Sequence, residues 1–424
     1  MPLTRGACPR GSGKLSIISG SAPATARERF VATLNFGRPD RIFYAFGRPR
    51  KATIQAWYLQ GLPRMPDAGD YGCPQEFLDL IGADPVQSLP TETDTWPLFE
   101  ERTLRETEHS RIWVDAHGIV MEDAGAHLKT PGFRTRRYVE HPVKCAADWR
   151  RLRDERFDPY AAGRYRADWD ELARQSKGRD VPIQLVVHGL YWKARDWVGF
   201  ENLSIMFHDN PSLVHEMMEY RAWFIMEVLK RALTDVEVDC VMLSEDMCYK
   251  HAMMISPQMF RGFMMPHYKK IAEFLRSCRV PILMVDSDGH SGQLIPLLIE
   301  AGFNGLWPLE IAANNDPVEY RRKYGRQIAF AGAIDKRAIT TKENVYREVM
   351  SKVPWLLEQR GYLPGVDHAV PPTAHLRGFL YFCELIKALA EKRRVPLPDE
   401  TLEIERHLGP VESYWSADLG IQDD

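Results

Sequence analysis

Short apolar runs that stop at an acid or a histidine recur along the middle and C-terminal parts of the chain. PIQLVV ends at His188, CVML leads to Glu245 and Asp246, and PILMV leads to Asp286 and Asp288. GLWPL ends at Glu310, IAFAGAI at Asp335, and YLPGV at Asp367 and His368. Strands buried on both faces read as such near-continuous apolar runs, and most segments between them carry the spacing of amphipathic helices. This alternation predicts an α/β protein, a TIM-type (β/α)8 barrel with its chemistry at the carboxyl ends of the strands. A ring of acids with two histidines is expected at that mouth.

The helices can be placed in outline. Ser256-Pro257 is a helix start, after which Phe260, Phe263, Met264, Ile271, Phe274 and Leu275 mark one buried stripe. QLIPLLIEAG is apolar nearly all round and stops at Gly302; NVYREVMSKVPWLLEQRG is expected to kink at Pro354. HLRGFLYFCELIKALAEKRR closes the domain. Near the N-terminus, order is expected from Thr25, with RIFYAF (41–46) as the first strand and a helix through Ile54, Trp57 and Tyr58. Residues 98–140 change rhythm. Charged and apolar residues alternate with period two around AHGI, which predicts a β-hairpin insertion in the N-terminal third, a lid or a dimer surface. The expected domains are a disordered leader (1–25), the barrel (26–395) and a C-terminal extension (396–424) in which Trp415 docks.

Composition narrows the function classes. The chain has 424 residues, 45% of them apolar, which is enough for a large core. With 55 basic and 58 acidic residues, the net charge of −3 gives no footprint for nucleic acid and no polybasic membrane patch. The 7 cysteines form no CxxC pair, so a four-thiolate zinc site or disulfide framework is not expected and a reducing cytosol fits. No run approaches the roughly 18 apolar residues of a membrane span.

Asp286 and Asp288, one residue apart just past a strand, can face one cavity and chelate a divalent cation, although Asp-Ser-Asp-Gly is also good turn chemistry. His368 is a candidate ligand or acid–base group, and His290 a spare ligand. His188 is followed by Tyr191 and Trp192, which either wall a pocket for a flat substrate or belong to the core. Glu245 and Asp246 are adjacent, so in extended backbone one points inward; Glu245 is chosen for the cavity. Glu310 and Asp335 are either substrate-binding residues or ion-pair partners of Arg321, Arg322 or Lys336.

Several segments resemble the uroporphyrinogen decarboxylase superfamily, which includes corrinoid-linked methyltransferases on the same barrel. They are RERFVATLNFGRPDRI, GFENLSIMFHDNPSLVHEMM, SEDMCYKHAMMISPQMFRGFMMPHYKKI, VDSDGHSGQLIPLLIEAGFNGLWPLE, YGRQIAFAGAIDKRAI and GYLPGVDHAVPP, spanning about residues 26–390. The resemblance implies one barrel with its site at the strand ends. In the thiol-serving methyltransferases a His-x-Cys-Gly zinc motif follows the strand matching PILMV; this chain has Asp286-Ser287-Asp288-Gly289 there. Near a third ligand it has Asp367 and His368. Hard oxygen ligands and one imidazole would remain, giving a divalent metal, zinc among the candidates, at Asp286, Asp288 and His368. The arginine-rich motif of the decarboxylase is echoed loosely by Gly47-Arg48-Pro49-Arg50, which makes Arg48 a candidate substrate-binding residue.

The leading expectation is an enzyme that removes a methyl group from oxygen or nitrogen of a small substrate. The metal would act as Lewis acid, Glu245 or His188 as general acid, and a corrinoid on a partner protein as methyl acceptor. Decarboxylation of uroporphyrinogen or a smaller acid is the alternative. A binder of a cationic ligand is the third. A homodimer is implied by the family and the insertion.

Overall fold

Thr25 opens the first helix, Ala26–Leu34: its hydroxyl accepts from the Glu28 N–H while the Glu28 carboxylate accepts from the Thr25 N–H. The structure, a computed structural model, describes residues 23–69, 72–124 and 136–414. Residues 1–22 of the expected leader, and Trp415, lie outside the described residues.

The strands in chain order are β1 (Gln87–Ser88), β2 (Arg102–Glu106), β3 (Ser110–Val114), β4 (Val120–Ala124), β5 (Arg136–Glu140), β6 (Ile183–His188) and β7 (Cys240–Ser244). They continue with β8 (Cys248–Tyr249), β9 (Ala252–Met253), β10 (Ile282–Asp286), β11 (Gly305–Trp307), β12 (Ala329–Ile334) and β13 (Tyr362–Val366). Among the described residues, β1, β6, β7, β10, β11, β12 and β13 pair in that order, all parallel, into one sheet. Helices follow the strands, including Leu190–Val198, Pro211–Asp235, Met265–Ser277, Leu294–Ala301 and Leu376–Ala390. This is an α/β fold with a curled parallel sheet, consistent with a TIM-type barrel.

RIFYAF, expected as the first strand, is extended but not a regular strand. Side chains take its donors: the Phe43 N–H goes to Thr33 Oγ1 (3.2 Å) and the Tyr44 N–H to Asp84 Oδ2 (2.8 Å). Its carbonyls still serve the two sheet edges. Phe46 O accepts from Val366 N (3.0 Å) and Tyr44 O from Asp84 N (3.0 Å), just before β1.

Strand parity divides the core. Cys240, Ile282, Met284, Ala329, Ala331 and Leu363 pack inside the curled sheet on Phe30, Leu34 and Phe43. Leu185, Val187, Val241, Leu243, Leu283 and Val285 face the surrounding helices in the larger core cluster. The insertion is larger than a hairpin. β2–β3–β4–β5 form a four-stranded antiparallel sheet, and AHGI turns between β3 and β4 as the period-two pattern predicts. The expected kink at Pro354 is a full break into helices Lys342–Met350 and Val353–Gln359, with Pro354 in the first turn of the second. Residues 396–414 strap back over the barrel: Pro396 O accepts from the Tyr381 hydroxyl (2.7 Å) and Glu405 pairs with Lys342 (2.8 Å). No helix among the described residues is long and apolar enough to cross a membrane.

Candidate active site

His188, Ser244, Asp286 and Trp307 are register partners across four adjacent strands, so they stand at one level of the sheet. They share parity with Met242, Ile282 and Met284, and so face the interior. Two residues before His188, on the same face of the strand, Val186 is 46% exposed although β6 lies within the sheet. The interior is thus unfilled at that height. The partly exposed strand-end side chains His188, Asp246, Asp288 and His368 rim this open mouth, called the cavity below.

The acids converge at this rim, but not as a metal site. Asp286 Oδ2 accepts from Ser244 Oγ (2.9 Å), and Asp288 Oδ2 lies 3.2 Å from His368 Nε2. Among the described residues, no group of three or more His, Cys, Asp or Glu side chains is placed to hold a metal ion. Of the three expected ligands, Asp288 and His368 pair with each other and Asp286 bonds Ser244. They do not fit a divalent cation as arranged. His290 is occupied as well, through Ala313 O at 3.0 Å.

The surroundings of Asp286, Asp246 and His368 favour their protonated forms. Burial first, then Asp288 and Asp246, push the Asp286 carboxyl up to about 7, against the Ser244 hydrogen bond and the His368 charge. Asp246 is raised by burial and by Asp288, against its Arg195 partner. The Asp288 hydrogen bond and charge raise His368, against burial and the cations Lys336 and Arg50. Near neutrality the rim therefore offers a carboxyl poised between its neutral and ionised forms beside the hydrogen-bonded Asp288–His368 pair.

Glu245 is not the cavity acid; Asp246 takes that place. The Glu245 and Asp246 N–H groups both donate to Asp286 O (2.8 and 3.3 Å), and Asp246 has φ +45°, so the backbone leaves the extended path on which the alternation rule depends. Glu245 turns outward and is fully buried. It accepts from the N–H groups of Leu190 (2.7 Å), Tyr191 (2.8 Å) and Trp192 (3.1 Å), and from the Tyr268 hydroxyl. It caps helix Leu190–Val198, whose first N–H groups would otherwise be buried without partners. Asp246 faces the rim and pairs with Arg195 (3.3 Å).

Other expected residues divide in the same way. Tyr191 is 1% exposed and belongs to the core, whereas Trp192 stacks on the His188 ring at 4.7 Å and 17° and walls the cavity. Glu310 pairs with Lys336 (2.9 Å) and accepts from Gly289 N (3.0 Å), pinning the loop that carries Asp288. Asp335 caps the turn Lys336–Ala338 and pairs with Arg337 (2.7 Å), so it is structural. Asp367 is fully buried and accepts from Ile311 N (2.7 Å) and Lys336 N (3.0 Å). Arg48 is exposed and its charge acts on Cys73; Arg50 is the cation whose charge reaches His368.

One residue escaped sequence reasoning. Asp94, in the loop TETDTW, bonds His188 Nδ1 through Oδ2 at 2.6 Å. No periodicity or motif marks it.

A model of the uroporphyrinogen decarboxylase (URO-D) family matches residues 110–389, most of the chain. Among solved structures, a methyltransferase from Methanosarcina mazei superposes with a TM-score of 0.55 at 14% identity, covering 86% of this chain and 98% of that one. At that identity the likeness shows a shared fold. A B12-independent methionine synthase from Shewanella sp. W3-18-1, in complex with selenomethionine, gives 0.43 at 12% identity over 82% of this chain and 96% of that one, too distant to carry an argument. No curated protein matches. The extent of the family match, with a curled parallel sheet and acids gathered at its carboxyl ends, establishes that the chain belongs to the uroporphyrinogen decarboxylase family.

Proposed function

We propose that this chain is a methyl-transferring enzyme that demethylates the oxygen or nitrogen of a small substrate, with a corrinoid on a partner protein as acceptor. The observation that carries the reading is the proton-bearing rim: Asp286, pushed up to about 7, beside Asp246 and the Asp288–His368 pair. A methyl ether is a poor substrate because its alkoxide or phenolate leaves reluctantly. A neutral acid at the leaving atom removes that obstacle. Asp286 gives its proton to the oxygen or nitrogen as the bond to methyl breaks, leaving an alcohol, phenol or amine. A corrinoid, when its protein docks, supplies the nucleophile that takes the methyl group. The half-exposed Trp192 and exposed Val186 offer apolar surface to a flat methylated substrate.

Family membership and the methyltransferase fold neighbour support this reading. Charge supports it further. The rim carboxylates Asp246, Asp288 and Glu310 are each paired one-to-one, with Arg195, His368 and Lys336 respectively. Paired in this way, the rim carries little excess positive charge with which to hold a macrocycle bearing eight carboxylates.

Decarboxylation is a second reading, favoured by one feature. Asp288 favours the protonated form of His368, and the Arg50 and Lys336 charges lie near it, an arrangement that would attract a carboxylate and protonate the carbanion left by carbon dioxide. One experiment separates the two. The full chain is incubated with a panel of methyl ethers and methylamines and reduced cobalamin, following methylcobalamin by absorbance and product by mass spectrometry. In parallel, carbon dioxide release from uroporphyrinogen is measured. Methylcobalamin formation that drops about 10²-fold or more in Asp286→Asn supports methyl transfer. Carbon dioxide release without it supports decarboxylation.

A further inference from the structure

Beside the acid cluster, the same rim carries a second titratable assembly that the proposed reaction does not use. We infer that His188 is a second proton-transfer group of the cavity, presenting Nε2 to the substrate, and that Asp94 is the positioning residue that holds it so. This inference rests on the reading of the cavity as a site of chemistry.

The geometry is specific. Asp94 Oδ2 lies 2.6 Å from His188 Nδ1, and the His188 ring lies flat on Trp192 at 4.7 Å. His188 Nε2 has no hydrogen-bond partner among the described residues, and the side chain is 35% exposed on the interior face of β6. Asp94 Oδ1 faces two buried cations, Lys193 Nζ at 3.4 Å and Arg221 Nη2 at 3.6 Å, and makes no hydrogen bond of its own. Burial opposes ionisation of Asp94, but Lys193, the His188 bond and Arg221 outweigh it and keep the carboxyl well below its usual range. An ionised carboxylate only accepts, so Nδ1 carries the hydrogen and the neutral ring keeps its lone pair on Nε2.

The scaffold around Asp94 is built to the same end. Arg221 donates to Thr93 O and to His188 O, tying the loop to the strand end. Thr95 Oγ1 lies 3.2 Å from His117 Nδ1 in the β3–β4 turn, and Trp96 N donates to Arg156 O (2.9 Å). Lys193 also pairs with Asp196 (3.1 Å), so Asp94, Lys193, Asp196 and Arg221 balance in charge. Lys193 and Arg221 are both buried beside Asp94. They suit an aspartate that must stay ionised while its histidine gains and loses a proton. Asp94, Lys193, Arg221 and Asp196 are the charged groups facing His188 from the 91–96 loop and the two packed helices, with Glu245 behind Arg221.

The test needs no substrate. Nitrogen-15 spectra of the full-length protein with labelled histidine, assigned through His188→Gln, report which ring nitrogen carries the proton. The expected result is an Nδ1–H, Nε2-bare ring in the neutral form, carbethoxylated at Nε2 by diethylpyrocarbonate, with the Nδ1–H preference weakened in Asp94→Asn. A neutral ring protonated at Nε2 overturns the inference, and so does a tautomer preference unmoved by Asp94→Asn. If that variant fails to fold, because Lys193 and Arg221 lose their counter-charge, Asp94→Asn combined with Lys193→Met restores the balance, and the wild-type tautomer still decides. This readout is independent of methyl transfer. A bare Nε2 with no methylcobalamin formed would retain the pair and reject the reaction.

Discussion

Asp288 Oδ2 sits 3.2 Å from Nε2 of His368, so two residues expected to share a metal are bonded to each other instead. The aspartate favours the charged form of the imidazole, and the ring nitrogen that would face a cation is engaged by it.

Replacing Asp288 therefore moves a proton. In Asp288→Asn the titration midpoint of His368, followed by proton NMR, is expected to drop toward the ordinary histidine range. The pair contributes stability that is complete below about pH 6.5 and lost as pH rises through the raised His368 value. Asp288 is 38% exposed on its side chain, so the loss is expected to stay below about 1 kcal/mol. Divalent metal content by mass spectrometry is expected to be equal in Asp288→Ala and wild type.

Asp286 has the stronger linkage to pH. Its folded-state value, about 7, lies above that of an unfolded aspartate, so its contribution is complete below about pH 4 and is lost as pH climbs through 7. Asp286→Asn, which keeps an acceptor for Ser244, is expected to flatten that fall and be roughly 2–4 kcal/mol more favourable relative to wild type at pH 8 than at pH 4. Urea unfolding across this range measures it. Asp367, raised to about 6 by burial, has the same sign and remains in both proteins.

Glu245 is expected to matter for stability rather than chemistry. Glu245→Ala strands three helix N–H groups and the Tyr268 hydroxyl in a buried place. A loss of about 3–5 kcal/mol in urea unfolding is expected. Asp246→Asn is expected to leave stability within about 1 kcal/mol, because that residue faces the partly open rim and its carboxyl is itself raised by burial.

The sequence shows the strand ends because parallel strands covered on both sides must be apolar until they reach water. That is why His188, Asp286, Asp288 and His368 could be read from it. Glu245 and Asp246 were interchanged because a left-handed backbone at Asp246 has no compositional mark. Tyr191 and Trp192 differ only in how helix Leu190–Val198 is rotated, which its Glu245 cap decides. The irregular first strand follows from side chains of Thr33 and Asp84, which periodicity cannot place. Asp94 gains its place through Lys193 and Arg221, residues that read as ordinary helix cations.

The account depends most on a neutral acid at Asp286. Carbon-13 titration of aspartate side-chain carboxyls, assigned through Asp286→Asn, measures it in the full chain without a substrate. A midpoint near 7 that falls in Asp288→Asn is predicted. A carboxyl that titrates near 4, untouched by loss of Asp288, would contradict it.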